Sequence, residues 1–230
     1  MKQYNSQAIV LNRINYQETD RILTVLTADY GKLRLIAKGS RSMKSKLAGG
    51  IELFAINDIG FIRGRGDIAT LISGRLKTNY PNILTNIKLV QLGYEFLKII
   101  DRNTEDRVEI EYFNLLSGAL SGLNNLKIPA DITNLWFLSR LIAISGHMPN
   151  LISDTTGADL IITGKYRFDG DAMAFIKQPD GIYDANHIKF LRLSFSVQHP
   201  SLLYRVGESQ KLTATVLPLV RDIRLNYLYS

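Results

Sequence analysis

Lys32, Arg34, Lys38, Arg41, Lys44 and Lys46 follow one another with no acidic residue between them. Cations at that density can neutralise several phosphates of a nucleic acid and release their counterions. Arg63 and Arg65 add two more on the turn Arg63-Gly64-Arg65-Gly66-Asp67. The excess is local: residues 1–100 hold 15 Lys+Arg against 7 Asp+Glu, and residues 101–230 hold 13 against 14. The net charge of +7 therefore belongs to the first part of the chain, and such asymmetry points to a polyanion partner. Contacts of this kind go to phosphates and carry no base code. Tyr16 and Tyr30 stand among these cations and read equally well as base-stacking rings or as packing residues.

Other chemistries find little to work with. The chain has no cysteine, which excludes disulfides, thiol nucleophiles and cysteine-ligated zinc. His147, His187 and His199 are its three histidines and do not form an H-E-x-x-H pair. Asp154, Asp159, Asp169 and Asp171 lack the ligand positions of an EF-hand loop and fit turn chemistry better. Gly64-Arg65-Gly66-Asp67-Ile68-Ala69 matches G-x-G-x-x-A, but Thr70-Leu71-Ile72-Ser73 favours a strand where a dinucleotide site needs a helix. There is no P-loop and no G-x-S-x-G elbow. The reading is a non-enzyme without a cofactor or metal. No apolar run approaches the roughly 18 residues of a membrane span, and the start lacks the features of a secretory signal. A cytoplasmic, nucleoid-associated protein with no membrane partner is expected.

The elements that must position the cations change character near residue 80. Gln7–Ile14, Arg21–Thr27, Lys32–Ala37, Ile51–Ile62 (interrupted at Asn57-Asp58) and Ile68–Leu76 read as strands. Leu33 and Leu35 alternate with Lys32, Arg34 and, more loosely, Ile36, so one face is apolar and the other partly basic. About five strands suit a small antiparallel barrel of the oligonucleotide-binding (OB) type, with an open sandwich as the alternative. From Tyr80-Pro81-Asn82 onward the period is helical, first through Leu89, Leu92, Phe96, Ile99 and Ile100. Further helices are predicted over 109–123, from Pro129 to about Gly146, over 186–198 and over 212–229, where Pro218 marks a start or a kink. Trp136 reads as packing. Residues 147–185 are irregular, with hairpin strands predicted at Leu160–Thr163 and Ala174–Ile176. The fold class is α+β: a barrel over 1–80 and a helical part over 81–230 with an insertion at about 151–185. On these residues alone, the rival readings are a generic OB-fold RNA-binding protein and an enzyme with a substrate site between barrel and helices, for which no nucleophile or base can be named.

One ordered series is more specific than any single motif. It runs through Ala8-Ile9-Val10-Leu11, Tyr16-Gln17-Glu18-Thr19-Asp20-Arg21, Leu23, Thr27 and Gly31-Lys32-Leu33. It continues through Ala37-Lys38-Gly39-Ser40-Arg41, Lys44-Ser45-Lys46-Leu47 and Leu53-Phe54. In this series, and more loosely in Gly146-His147-Met148-Pro149-Asn150-Leu151, the chain resembles the bacterial recombination mediator family RecO.

The resemblance implies an OB barrel, a helical C-terminal domain and a non-covalent activity. That activity is binding single- and double-stranded DNA, annealing complementary strands, and helping to load recombinase onto DNA coated by single-strand binding protein. It implies phosphate contacts at Lys32, Arg34, Lys38, Arg41, Lys44, Lys46, Arg63 and Arg65. Glu18 and Asp20 are expected to fix Arg21 or Lys32. The implied partners are RecR, through the barrel, and the acidic tail of single-strand binding protein, with Arg140, Lys189 and Arg192 as its candidate cations. Many family members carry a four-cysteine zinc ribbon where this chain has residues 151–178. Its ligand positions fall near Asp154, Gly157, Ala174 and Lys177, so a degenerate, metal-free ribbon is implied. Leu160, Ile161, Ile162, Phe168, Phe175 and Ile176 would hold it by packing.

Overall fold

The computed structural model describes residues 2–43, 45, 47–64, 66–104 and 110–228. Five strands come first: β1 Gln3–Tyr16, β2 Asp20–Thr27, β3 Gly31–Ala37, β4 Ala55–Ile62 and β5 Ile68–Asn79. They close into a barrel in the order β1-β2-β3-β5-β4. Every contact is antiparallel except β3 with β5. β1 is long enough to serve two neighbours, pairing with β4 through Gln3–Ile9 and with β2 through Ala8–Tyr16. A register shift between Val10 and Asn12 bends it from one to the other.

Alternation builds the interior. Ala8 and Val10, Leu23 and Val25, Leu35 and Ala37, Ile59 and Phe61, Ala69 and Leu71 are all buried. Each strand contributes an i, i+2 pair, as a pleat of period two requires. Ile51 joins them from the connection between β3 and β4. The expected strand over Ile51–Ile62 starts only at Ala55. Before it, Ala48–Gly50 forms a 3-10 turn and Phe54 adopts φ +53°, a left-handed conformation that interrupts extended backbone. The turn presses Gly50 directly onto the backbone of Gly74 on β5, where a Cβ on Gly50 would collide. The break read at Asn57-Asp58 is instead a bulge between Ile56 and Asn57.

After a 3-10 turn at Pro81–Thr85 come helices α1 Ile87–Asn103, α2 Ile110–Asn124 and α3 Ala130–Ile144. Strands β6 Asn150–Asp154, β7 Tyr166–Asp169 and β8 Ala174–Lys177 follow. Helices α4 Ala185–Ser196, α5 Pro200–Tyr204 and α6 Ser209–Tyr227 complete the chain, with Pro218 inside α6. The chain divides into two compact units, Met1–Asn124 and Asn125–Ser230. In the first, Asn124 accepts from the amide and the side chain of Asn82 at 2.9 Å each. α1 and α2 therefore belong with the barrel, whereas the sequence division at residue 80 parts them from it. In the second, Trp136 is buried and its indole N–H donates to the Val197 carbonyl at 2.9 Å.

The second unit's small sheet runs β6-β8-β7. β8 matches the strand predicted at Ala174–Ile176, but its antiparallel partner is β7 and not Leu160–Thr163. The reason is Tyr166. Its ring is buried, Gly164 and Gly181 close on it, and its hydroxyl accepts from the Ile161 amide at 2.8 Å. That leaves Ile161 and Ile162 on the surface at 44% and 76% exposure. The packing expected of them is supplied by Tyr166, Phe175 and Tyr183, whose rings meet edge to face. No described helix is long and apolar enough to cross a membrane.

Candidate nucleic-acid interface

The outward residues of the barrel fall into rows set by the strand register. One row runs Ile56, Ile9, Leu26, Lys32. Its apolar members are buried although they face away from the interior, because α1 packs on this side. Lys32 lies at the row's end. Its ammonium donates to the Asp101 carbonyl at 2.7 Å and lies 3.5 Å from the Asp101 carboxylate. A cation at the last turn of α1 also suits the helix dipole. Lys32 is thus paired with Asp101, not with Glu18 or Asp20, and is turned from the open face.

The next rows are uncovered. Asn12, Thr24, Arg34 and Ile68 form one, and Ile14, Ile22, Ile36 and Thr70 another. Arg34 is exposed, as are Ile14 at 54% and Ile68 at 38%. Lys38 and Arg41 continue from the end of β3 and are exposed too. Their loop is fixed by backbone contacts. The Asp20 carboxylate accepts from the Gly39 amide at 2.8 Å, and Arg41 N donates to the Thr19 carbonyl at 2.9 Å. The Arg41 guanidinium lies 3.3 Å from the Gln17 carbonyl. Asp20 therefore positions the cationic loop without neutralising a cation, a role that the expected pairing with Arg21 or Lys32 missed. Tyr16, at 41% exposure, ends β1 beside this loop.

Arg63 lies elsewhere. Its guanidinium sits over Tyr4, Tyr30 and Phe61 at 5.7, 5.7 and 6.0 Å from their centroids. Tyr30 is thereby a packing ring in a three-aromatic cluster, at the β2–β3 turn. Lys38 and Arg41 lie past the opposite end of β3, about 20 Å away at roughly 3.3 Å per residue. The structure brings Arg34, Lys38 and Arg41 onto one side of the barrel and leaves Arg63 at the other end. Lys44, Lys46 and Arg65 lie outside the described residues.

In the second unit, Arg140 donates to the Phe195 carbonyl at 2.6 Å and Arg192 to the Leu151 carbonyl at 2.7 Å. Both tie elements together; Lys189 is exposed on α4. The aspartates of the irregular segment make turns. Asp154 accepts from the Thr156 hydroxyl at 2.6 Å and from the Thr156 and Ala158 amides at 2.9 and 3.1 Å. The Thr156 contacts hold its carboxyl below the usual range. Asp169 accepts from the amides of Asp171 and Ala172. The positions where the ribbon resemblance puts zinc ligands do not fit a metal. Asp154 commits its Oδ1 to three bonds of its own turn, Gly157 and Ala174 offer no side-chain donor, and Lys177 is a cation.

Comparison with known proteins agrees with the barrel series. Residues 1–80 match the family model "Recombination protein O N terminal". The DNA repair protein RecO of Exiguobacterium sp. is 26% identical over 218 residues, 94% of this chain and 83% of that protein. RecO of Alkaliphilus metalliredigens is 28% identical over 209 residues, 90% of this chain and 84% of that protein. RecO of Desulfatibacillum aliphaticivorans is 30% identical over 154 residues, 66% of this chain and 60% of that protein. With an ordered match through the barrel and relatives aligned along most of its length, the chain carries a RecO-type N-terminal domain and is similar to RecO DNA repair proteins beyond it.

Proposed function

We propose that this protein is a recombination mediator that binds single- and double-stranded DNA on an OB-type barrel and anneals complementary strands. The observation that carries the reading is the exposed cationic side of the family-matched barrel, with Arg34, Lys38 and Arg41 beside the exposed apolar residues Ile14 and Ile68. Cations track phosphates, and exposed apolar groups give unpaired bases a surface to lie on. Annealing needs repulsion between two strands to be lowered while contacts stay weak enough for register exchange. Salt-sensitive phosphate contacts meet both conditions. Lys44, Lys46, Arg63 and Arg65 extend the contact set in this reading.

The same reading assigns RecR to the barrel and the acidic tail of single-strand binding protein to the helical unit. There the tail approaches Lys189 with the remaining donors of Arg140 and Arg192, a mode suited to acidic peptides. Loading of recombinase follows from these contacts. The insertion is a ribbon that keeps its sheet without metal. The Asp154 carboxylate now gathers the turn amides, and Tyr166, Phe175 and Tyr183 supply the core.

The test is a fluorescence-anisotropy titration of a labelled single strand and its duplex at two salt concentrations. Binding of both, with affinity falling steeply as salt rises, is expected. Absence of binding at low salt would remove the DNA reading. Strong preference for an RNA strand of the same sequence would favour an RNA-binding barrel instead.

A further inference from the structure

We infer that the groove between β1 and α1 is a second nucleotide site, in which an unpaired base of single-stranded DNA stacks on Tyr94 and its phosphate meets Lys98. The inference rests on the DNA reading above and adds a site that none of the phosphate contacts already named forms.

The groove has a volume of about 600 Å³ and is lined by Asn12 and Arg13 from β1 and by Tyr94, Lys98, Asp101 and Arg102 from α1, over a floor of leucines. Its one carboxylate, on Asp101, is paired with Lys32 at 3.5 Å. Arg13 lies 3.7 Å from the Glu52 carboxylate and donates to the Ile51 carbonyl at 3.3 Å. Lys98 is exposed on α1 and offers its ammonium to a phosphate.

Tyr94 is held for display rather than for core packing. Phe54, in its left-handed conformation and only 2% exposed, seats its ring against Gly93, where any Cβ would meet Phe54 at 2.8 Å. From there it meets the Tyr94 ring edge to face, with centroids 5.0 Å apart and planes at 72°. Tyr94 keeps 49% of its surface in solvent. A half-exposed ring fixed by a buried one loses little freedom when a base stacks on it. Lys98 stands one helical turn beyond Tyr94 on the same face of α1. A stacking ring with a cation one turn on combines the two contacts that single-strand tracks use. Asn12 belongs also to the uncovered row with Arg34, so the groove opens onto the basic side of the barrel. A strand could pass from one to the other while a second strand occupies the row itself, the geometry that annealing requires.

The experiment compares an oligo(dT) 20-mer with a fully paired duplex of the same length, by anisotropy, on the full chain. Tyr94→Ala should weaken single-strand binding by about tenfold, within the range of one lost base stack, and change duplex binding by less than about twofold. Tyr94→Phe should keep wild-type affinity. Lys98→Gln should weaken single-strand binding and lower its salt slope by about 1. Fluorescence of the Tyr94→Trp variant should be quenched on adding oligo(dT), against the background of buried Trp136.

Single-strand affinity unchanged in Tyr94→Ala, or no quenching in Tyr94→Trp, overturns the inference and leaves the DNA reading standing. Equal losses on both substrates with a lowered melting temperature overturn it too, as a packing effect. A wild-type protein that binds neither substrate overturns the DNA reading itself, and this site with it.

Discussion

In the barrel unit, Arg34, Lys38 and Arg41 stand on strand or loop backbone that other contacts already fix, and their side chains are exposed, that of Arg41 with one contact, at 3.3 Å, to the Gln17 carbonyl. In the helical unit, Arg140 and Arg192 direct their guanidiniums into carbonyl oxygens of neighbouring elements. The barrel unit holds 17 Lys+Arg and the helical unit 11, and they use them differently. The backbone of the barrel's basic loop is anchored by Asp20 through an amide, so the loop is shaped without its charge being cancelled. The helical unit uses its arginines as ties, and changes there should be felt first as stability. Lys32 stands between the cases, because it sits on the barrel yet behaves as a tie to α1.

That contrast can be broken by substitution. The largest effect should follow charge reversal on the barrel. Arg34→Glu/Lys38→Glu/Arg41→Glu should lower affinity for single-stranded DNA by about 100-fold or more at low salt and reduce the salt slope by about 3, at roughly one per phosphate contact. Anisotropy at several salt concentrations measures both, and the melting temperature should be little changed. Next is Arg140→Ala, which removes a charge-assisted bond to Phe195 and should cost about 2 kcal/mol of stability. Urea unfolding followed by Trp136 fluorescence reads this loss, and DNA affinity should stay within about twofold. A smaller change is expected of Lys32→Ala. Loss of the partly exposed pair with Asp101 should cost about 1 kcal/mol or less, with a weaker effect on DNA binding than the loss of Arg34.

The smallest effect is a pH dependence in the helical unit. The hydrogen bonds from Thr156 hold the Asp154 carboxyl below its usual range, so folding favours the ionised form. That stabilisation is complete above the ordinary carboxylate value and is lost as pH falls through the lowered one. Wild type should therefore lose stability on acidification more steeply than Asp154→Asn, with Trp136 fluorescence as the probe.

Much of this was legible in the residues. The alternation of Leu33 and Leu35 with Lys32 and Arg34 gave β3 its faces, because a period of two leaves no other arrangement. The 3.6-residue period gave α1 and α3. The fate of Lys32 was not legible, since its partner Asp101 lies far along the chain and reaches it only when α1 packs on β1. Nor was the position of Arg63, because residues adjacent to a turn in sequence can cap an aromatic cluster built from two strands and a second turn. β7 was missed because Tyr166-Arg167-Phe168-Asp169 is too short to show a period, and its place is set by a buried ring against two glycines. Tyr94 carried a faint signal as an aromatic one turn ahead of Lys98 on α1. Nothing in the sequence tied it to Phe54.

The most direct test of the central claim is annealing of two complementary oligonucleotides, each already coated with single-strand binding protein, by wild type and by Lys38→Glu/Arg41→Glu at low and moderate salt. The account predicts fast annealing by wild type, slower annealing at higher salt, and almost none by a variant whose circular dichroism and melting temperature match wild type. Annealing by that variant at the wild-type rate would contradict it.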